Sequence, residues 1–414
     1  MKKLVLFFGT MLFFLMIFIP QSFSFIKIIV LLITLLFYFI VFGDKKLIFS
    51  LKFLYWFLFY FLFYSIWILY GLFFNNPGIT DTARLELIWP IIYIILLSII
   101  ESEEIITKLY KFFIITSFFI SFYNLYKFIE IIFPVPKLFL LDQNFEIGIH
   151  DGYVQIVSLN IGSLVFLMPL LFSIFIIGEK FYNKIKINKY IFLLILILVV
   201  FTSVISGRRA LWFSIFLTIA LMKYFTSFYS NLKNTNFDKN VFKLFFALFL
   251  FGTVYLSSKI NIDDFKNKFT EEFNTENQTV RQEQSKALIA GFYNNPLLGT
   301  GFGKGVNSVV RNIEKPWTYE LTYHVILYNT GIIGFIFFIA LILYPIYWSI
   351  TLIKKTKDIL ILPILCSYII ILLNSTSNPF FTSSFDFQWM LFLPIGILNR
   401  LELNFKKSIL NQND

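Results

Sequence analysis

The sequence predicts an all-α polytopic membrane protein with about twelve transmembrane helices. Of its 414 residues, 58% are apolar, 21% are aromatic and only 14% are charged. Soluble domains contain roughly 25% charged residues. The apolar residues form runs of about 20, the length at which a helix crosses a bilayer. Basic residues cluster in every second connection between these runs. Composition, segment length and charge pattern therefore indicate the same fold class.

The predicted spans follow one another along the chain. They cover 4–20, 24–42, 47–73, 84–100, 111–133, 160–178, 190–206, 210–225, 241–257, 332–353, 359–375 and 384–399. No small-residue cleavage site follows the first span, so we expect it to be a retained anchor. Three parts result: nine helices in 1–257, one large hydrophilic loop in 258–331, and three helices with a tail in 332–414.

The distribution of basic residues predicts the orientation of the protein. Twenty of the 35 Lys and Arg residues lie at the two termini and in connections that share one side of a twelve-helix protein. Cytoplasmic loops are the ones enriched in Lys and Arg. We therefore expect both termini in the cytoplasm and the loop 258–331 outside it. The net charge of +11 is explained by this orientation, and no nucleic-acid partner is expected.

Arginine has a different distribution from lysine. Only six Arg occur against 29 Lys, and five fall on the predicted outer side, where positive charge is disfavoured: Arg84, Arg208, Arg209, Arg281 and Arg311. A planar guanidinium binds phosphate with two hydrogen bonds and keeps its charge when desolvated. The short hairpin 206–212 lies at headgroup level, where a lipid-linked pyrophosphate would lie. The alternative is that these arginines anchor the protein to ordinary lipid phosphates.

The glycine-rich run 298–305 does not match a nucleotide-binding motif. A dinucleotide fingerprint needs a third glycine that is missing in either register, and no Gly-Lys-Ser/Thr is present. We expect a tight loop beneath a helix end, with backbone approach to a ligand, at Gly299, Gly301 and Gly303. Tyr323 is expected to approach the same ligand. The single Cys366 and the isolated acidic pair 263–264 predict neither a disulfide nor a metal site. No cofactor is predicted.

An acid and an imidazole precede the tenth span. Glu320 and His324 are four positions apart, so on a helix they would share one face. Polar groups that enter a membrane helix are costly unless they are paired or functional. One of the two would serve as a general base that removes a proton from an attacking hydroxyl. The alternative is a polar pair satisfied by neighbouring tyrosines, of which Tyr323 is the nearest to His324.

Three segments together resemble the O-antigen polymerase and O-antigen ligase superfamily. They are 206–214 (SGRRALWFS), 281–303 with its Asn-Pro-Leu-Leu-Gly-Thr-Gly-Phe-Gly end, and 319–334 with its Gly-Ile-Ile-Gly end. The superfamily is similar in having about twelve spans, with its largest outer loop after the ninth. The resemblance implies a GT-C-like, metal-independent glycosyltransferase in the bacterial inner membrane. Its donor and acceptor would be undecaprenyl-pyrophosphate-linked glycans, among membrane lipids, with flippase and chain-length regulator proteins as further partners.

One position bears on the subfamily. Ligases of this superfamily carry a histidine eleven residues before the first glycine of Gly-Ile-Ile-Gly, whereas this chain has Glu320 there. The resemblance therefore favours a polymerase of O-antigen or capsular repeat units, with Glu320 as base and His324 in support. It also implies pyrophosphate binding by arginines of the outer face, namely Arg84, Arg208, Arg209 and Arg281.

Two alternative functions stay open. A ligase would transfer the glycan to lipid A–core or to a protein. A polysaccharide or lipid transporter would place ionisable residues deep in its spans, and the sequence has few in such positions: Lys127 and Glu130 lie near a helix end.

Overall fold

The computed structural model describes residues 1–42, 49–133, 135–136, 145–150, 153–226, 276–310, 312–380 and 382–413. Helices dominate this part of the chain. The first half contains α1 (Lys2–Phe18), α2 (Ser24–Phe42), α3 (Leu51–Phe73), α4 (Ile79–Ala83), a π-helical turn (Arg84–Ile88), α5 (Trp89–Leu97) and α6 (Glu103–Ile132). The second half contains α7 (Asn160–Ile177), α8 (Glu179–Ile185), α9 (Lys189–Ile205), α10 (Arg209–Thr226), α11 (Glu276–Asn294), α12 (Thr322–Thr356), α13 (Ile361–Asn374) and α14 (Phe385–Asn413).

The long apolar helices identify a helical membrane protein. Among the helices that the structure describes, five are long and apolar enough to cross a bilayer: α2, α3, α6, α7 and α12. A sixth is obtained if α8 and α9, which meet at 106°, form one bent span. The count of twelve stays a prediction, because several described helices are shorter and the predicted span 241–257 lies outside the described residues.

Several helices begin earlier than their predicted spans. Helix α6 starts at Glu103 because the Ser102 hydroxyl caps it, accepting a hydrogen bond from the Ile105 N–H. The predicted span 84–100 is the end of a helical segment that begins at Ile79 and passes through the π-helical turn. Helix α12 starts at Thr322 and breaks at Gly331, whose φ of 63° and ψ of −173° are not helical. Capping residues and backbone breaks therefore set the helix ends, which hydropathy alone does not predict.

A β-hairpin departs from the all-helical prediction. Strands β1 (Phe145–His150) and β2 (Tyr153–Ser158) pair antiparallel within the predicted connection 134–159. The strands flank Asp151-Gly152, a dipeptide typical of tight hairpin turns. Their sequences, FEIGIH and YVQIVS, are rich in Ile, Val and aromatic residues, which favour strands. Both sequence signals were available for this element.

Helix α7 lies at the centre of the bundle. It packs against α10 and α13, and every residue from Asn160 to Ile174 is buried in protein. Helix α3 is different, since Leu58, Leu62 and Leu69 are each at least half exposed. Exposed leucines on a membrane helix lie against lipid and cost nothing there. The protein therefore has an inner helix and an outer, lipid-facing layer.

Candidate functional site

The largely polar helix α11 packs against α12. Leu288 of α11 packs in a small apolar cluster with Val306, Tyr319 and Tyr328. Gly291 lies so close to Tyr328 that an added Cβ would be 2.6 Å from the ring. The Tyr319 hydroxyl accepts a hydrogen bond of 2.7 Å from the Val306 N–H, and burial raises the pKa of this phenol. These contacts fix α11 against the segment that precedes α12.

Two predicted site residues meet at this junction. The Nε of Arg281, on α11, donates to Oε2 of Glu320 over 2.5 Å. The Arg281 side chain is 40% exposed and that of Glu320 only 19%. Gln284, one turn further along α11, accepts a 3.2 Å hydrogen bond from the Glu320 N–H. Glu320 is therefore held through both its backbone N–H and its carboxylate, while the Arg281 guanidinium stays partly exposed.

Glu320 and His324 do not share a helical face, so this part of the prediction is wrong. Helix α12 begins at Thr322, and its N-cap residue Leu321 has φ of −87° and ψ of 80°. Glu320 therefore precedes the helix, and the four-residue spacing no longer places the two side chains one above the other. His324 lies in the first turn of the helix, and the two residues belong to different local structures.

One side chain of α11 and one of α12 each have a buried polar atom without a partner among the described residues. These atoms are Nδ1 of His324 and Nε2 of Gln284. Gln284 is fully buried, and a buried polar group without a hydrogen bond costs about 1–3 kcal/mol. Such groups in a folded protein call for an explanation, of which a bound water or ligand is one. The junction of α11 and α12 therefore offers a cation, a carboxylate, an amide and an imidazole.

The glycine-rich loop packs tightly against two helices, as expected. Its three predicted glycines have φ of 69°, 76° and 81° in turn, a region that favours glycine: Gly299, Gly301 and Gly303. A Cβ on Gly299 would lie 2.5 Å from the Asn329 carbonyl, and one on Gly301 would lie 2.5 Å from the Gly71 Cα. What approaches these glycines is helix backbone, so packing accounts for them without a ligand.

This loop also satisfies the backbone where α12 breaks. The break at Gly331 frees the N–H groups of Ile332 and Ile333, which donate to the Pro296 and Leu297 carbonyls over 2.9 and 3.3 Å. Unpaired backbone groups cost several kcal/mol in a membrane. The loop's own carbonyls at 300, 301 and 302 accept from the buried Asn76 amide at 3.0, 3.2 and 2.9 Å. Asn76 carried no sequence signal, because its role depends on distant backbone.

The other predicted cations do not join the Arg281–Glu320 pair in the described part of the chain. Arg208 lies in the turn before α10, and its Nη2 donates to the Ser158 carbonyl over 3.5 Å. Burial lowers the pKa of this guanidinium. Arg84 pairs with Asp81 at 2.8 Å and is 61% exposed. Arg209 begins α10, but its side chain lies outside the described residues, as do Arg311 and the acidic pair 263–264.

The end of α13 connects α10 to the start of α12. The Asn374 amide donates to the Ser214 hydroxyl of α10 over 3.2 Å. The Tyr323 hydroxyl donates to the Leu372 carbonyl over 2.7 Å, and the Thr322 hydroxyl bonds the Asn378 carbonyl at 3.3 Å. The arginine turn and the Glu320 junction therefore lie at the same end of the bundle, joined through one helix terminus.

The sequence analysis did not predict three buried ionisable residues: Lys27, Asp386 and Glu86. Nζ of Lys27 lies 2.9 Å from Oδ2 of Asp386 and 2.7 Å from the Ile19 carbonyl, and both side chains are 1% exposed. Glu86, in the π-helical turn, accepts a 2.7 Å hydrogen bond from the Tyr60 hydroxyl. The signal was a charge next to or within an apolar run, which is expensive in a membrane and marks a specific role.

No protein-family model matches this chain, and no curated protein sequence matches it either.

Proposed function

We propose that the protein is a membrane glycosyltransferase that polymerises undecaprenyl-pyrophosphate-linked oligosaccharide repeats on the extracytoplasmic face. The observation that carries the proposal is the ion pair between Arg281 and Glu320. It brings a guanidinium, a group able to bind phosphate, into contact with a partly buried carboxylate just before a membrane helix. The proposal includes a GT-C-like fold of twelve spans, cytoplasmic termini and a bacterial inner-membrane location.

The pair supports a coupling between donor binding and base activation. Without donor, Arg281 neutralises Glu320. A pyrophosphate carries more negative charge than one carboxylate and accepts paired hydrogen bonds from a guanidinium, so it competes for Arg281. Release of Arg281 opens Oε2 of Glu320 to the hydroxyl of an acceptor sugar. In this proposal the donor therefore binds before Glu320 takes up the proton.

The chemical step then needs no group beyond these residues and the two substrates. Glu320 accepts the proton of an acceptor sugar hydroxyl, and that oxygen forms a bond to the anomeric carbon of the donor. The bond between this carbon and the pyrophosphate oxygen breaks, and undecaprenyl pyrophosphate leaves with the electron pair. In this proposal Arg281 stabilises the departing charge, assisted by Arg208 and Arg209, which the resemblance implies as further cations. Glu320 returns its proton to solvent.

Two observations favour the alternatives. The buried Nδ1 of His324 supports a ligase, since ligases of the superfamily use an imidazole near this position. The buried Lys27, Asp386 and Glu86 support a transporter, which needs ionisable groups inside the bundle. Each alternative predicts a different product pattern.

A deletion strain and a reconstituted protein test the proposal together. The strain should accumulate single-repeat surface glycan, and purified protein in liposomes should convert lipid-linked repeats into longer chains. Unmodified lipid A–core with long lipid-linked glycan would instead indicate a ligase. Normal glycan chains in the deletion strain would overturn both transferase assignments.

A further inference from the structure

Glu86 is a buried carboxyl group whose hydrogen-bond partners are all neutral. It lies in the π-helical turn and is 3% exposed. Its Oε2 accepts a 2.7 Å hydrogen bond from the Tyr60 hydroxyl, and the Tyr64 hydroxyl also bonds this carboxyl. Nε2 of Gln388, on α14, lies 3.5 Å from the same oxygen. Within the described ranges, no Lys or Arg forms an ion pair with Glu86.

The ionisable groups on the elements around this turn have partners of their own. Arg84 begins the π-helical turn and pairs with Asp81 at 2.8 Å. Asp386, in the first turn of α14, pairs with Lys27 of α2 at 2.9 Å. The Tyr93 hydroxyl of α5 donates to a backbone carbonyl at the start of α14 over 2.6 Å. These groups therefore do not supply the buried carboxyl with a counter-charge.

The amide of Gln388 needs a donor next to this carboxyl. Its Nε2 donates to the Leu85 carbonyl over 3.0 Å, which fixes the orientation of the amide, because a flipped amide would set two acceptors against each other. Its Oε1 is then a buried acceptor without a partner among the described residues. An ionised carboxylate only accepts hydrogen bonds, whereas a protonated one has an O–H to donate. A protonated Glu86, beside the same amide, can supply the missing donor.

Glu402 shows the contrasting arrangement at similar burial. It is 5% exposed, and its Oε2 accepts a 2.6 Å hydrogen bond from Nε1 of Trp348. Nζ of Lys406 lies 3.0 Å from its Oε1, and Nζ of Lys52 lies 3.5 Å from its Oε2. Two buried glutamates therefore differ in one respect, since Glu402 has two cations beside it and Glu86 has only hydroxyl and amide groups.

We propose that Glu86 is a proton-binding site, which holds its proton at neutral pH. An ionised carboxylate without a counter-charge is so costly inside a protein that the group becomes neutral instead. Ionisable residues inside membrane bundles mark ion and proton pathways, and π-helical turns are frequent at functional sites. The proposal does not depend on the transferase assignment, because Glu86 has no part in that reaction.

The site is in contact with the glycine-rich loop. The ring of Phe302, within that loop, stacks on Tyr64 at 5.4 Å between centroids. Tyr64 in turn lies 4.6 Å from Tyr60, centroid to centroid. A change of charge at Glu86 would therefore act on the loop through the ring of Tyr64.

Infrared spectroscopy tests the protonation state without any enzymatic turnover. The C=O stretch of a carboxylic acid is separate from the bands of carboxylates and amides. Exposed Asp and Glu side chains are ionised at neutral pH, because their usual pKa is about 4. Spectra of the full-length protein in liposomes are compared with those of Glu86→Gln. Glu402→Gln is the matched control, because it removes a buried glutamate that has cations beside it.

We expect an acid band in the wild-type protein that is unchanged in Glu402→Gln and lost in Glu86→Gln. An acid band that persists in Glu86→Gln, or is absent from the wild-type protein, would overturn the proposal. A band that appears only after Na⁺ is replaced by choline would also overturn it, in favour of a bound metal cation.

A second variant keeps the test informative if Glu86→Gln fails to fold. Tyr60→Phe retains the acid but removes one of its hydrogen-bond donors. The acid band should then persist at a higher frequency, because the C=O bond stiffens when it loses a hydrogen bond. An unshifted band would assign the proton to another carboxyl group and overturn the proposal.

Discussion

Nε of Arg281 and Oε2 of Glu320 lie 2.5 Å apart, although 39 positions separate the two residues in the chain. Arg281 lies on α11, whereas Glu320 lies in the loop that leads into α12. An ion pair at this exposure stabilises a fold by only about 0–1 kcal/mol. The proposed chemistry at the junction would explain its placement, and Glu320→Gln and Arg281→Lys separate that role from a structural one.

Glu320→Gln should abolish polymer formation while leaving insertion and donor binding intact. The amide keeps the shape and hydrogen bonding of the side chain but cannot accept a proton, and a positioned base contributes about 10²–10⁴-fold in rate. The rate of chain extension by reconstituted protein measures this. Glu314→Gln is the control, because Glu314 is an exposed glutamate in the same loop.

His324→Ala should reduce the same rate less than Glu320→Gln does. The imidazole lies in the first turn of α12 and is a supporting residue in this mechanism. The opposite ranking, an active Glu320→Gln with an inactive His324→Ala, would move the base one turn along the chain. That result would favour the ligase alternative, which expects an imidazole.

Arg281→Lys should lose most activity although it keeps the charge. Lysine is a point charge that cannot form the paired hydrogen bonds of a guanidinium with pyrophosphate. We expect a raised donor KM in the extension assay and an unchanged melting temperature in detergent. Lys286→Arg on the exposed side of α11 is the matched control. If Lys variants of Arg281, Arg208 and Arg209 all keep a full chain-length distribution, these arginines only anchor the protein to lipid.

The loop that carries this site should lie outside the cytoplasm. A periplasmic reporter enzyme inserted after Ile313, which is 93% exposed, should be active, whereas a fusion after Lys407 in the C-terminal segment should not. The reason is the clustering of Lys in the alternate connections. Activity confined to the C-terminal fusion would invert the orientation and move the junction to the cytoplasm.

Hydropathy predicted where most helices lie, because twenty apolar residues in a row leave few alternatives. It could not predict that Arg281 contacts Glu320, since that pair depends on how α11 docks through Leu288 and Gly291. The start of α12 was also missed, because Leu321 offers no side-chain cap to signal it. The glycine loop was predicted as tight, while its partner Asn76 depends on contacts more than 200 positions away.

Gly301→Ala should destabilise the protein through backbone strain and overpacking together. Gly301 has a φ of 76°, and its Cβ would lie 2.5 Å from the Gly71 Cα. Gly178→Ala is the matched control, because Gly178 also has a positive φ, of 71°, but has its nearest neighbour at 3.9 Å. We expect Gly301→Ala to cost about 1–3 kcal/mol more, the usual cost of overpacking, measured by denaturant unfolding. Equal losses of unfolding free energy in the two variants would mean that the loop moves aside for the added Cβ without an energetic cost.

Variants of the buried Lys27–Asp386 ion pair test the transporter alternative. Removing one partner leaves an uncompensated charge inside the bundle, which costs about 3–5 kcal/mol. Lys27→Met and Asp386→Leu should therefore each lower the melting temperature strongly. The double variant should recover most of it, because an apolar pair replaces the ions. Asp81→Asn, at the exposed Arg84–Asp81 pair, should change little.

The double variant then gives the discriminating result. A purely structural pair can be replaced without loss of function, so the refolded double variant should support a normal glycan ladder in a deletion strain. A transporter that moves its substrate past these charges would fold equally well but fail to complement. Complementation with full-length chains would exclude a transport role for the Lys27–Asp386 pair, because these two charges would then serve only to hold α2 against α14.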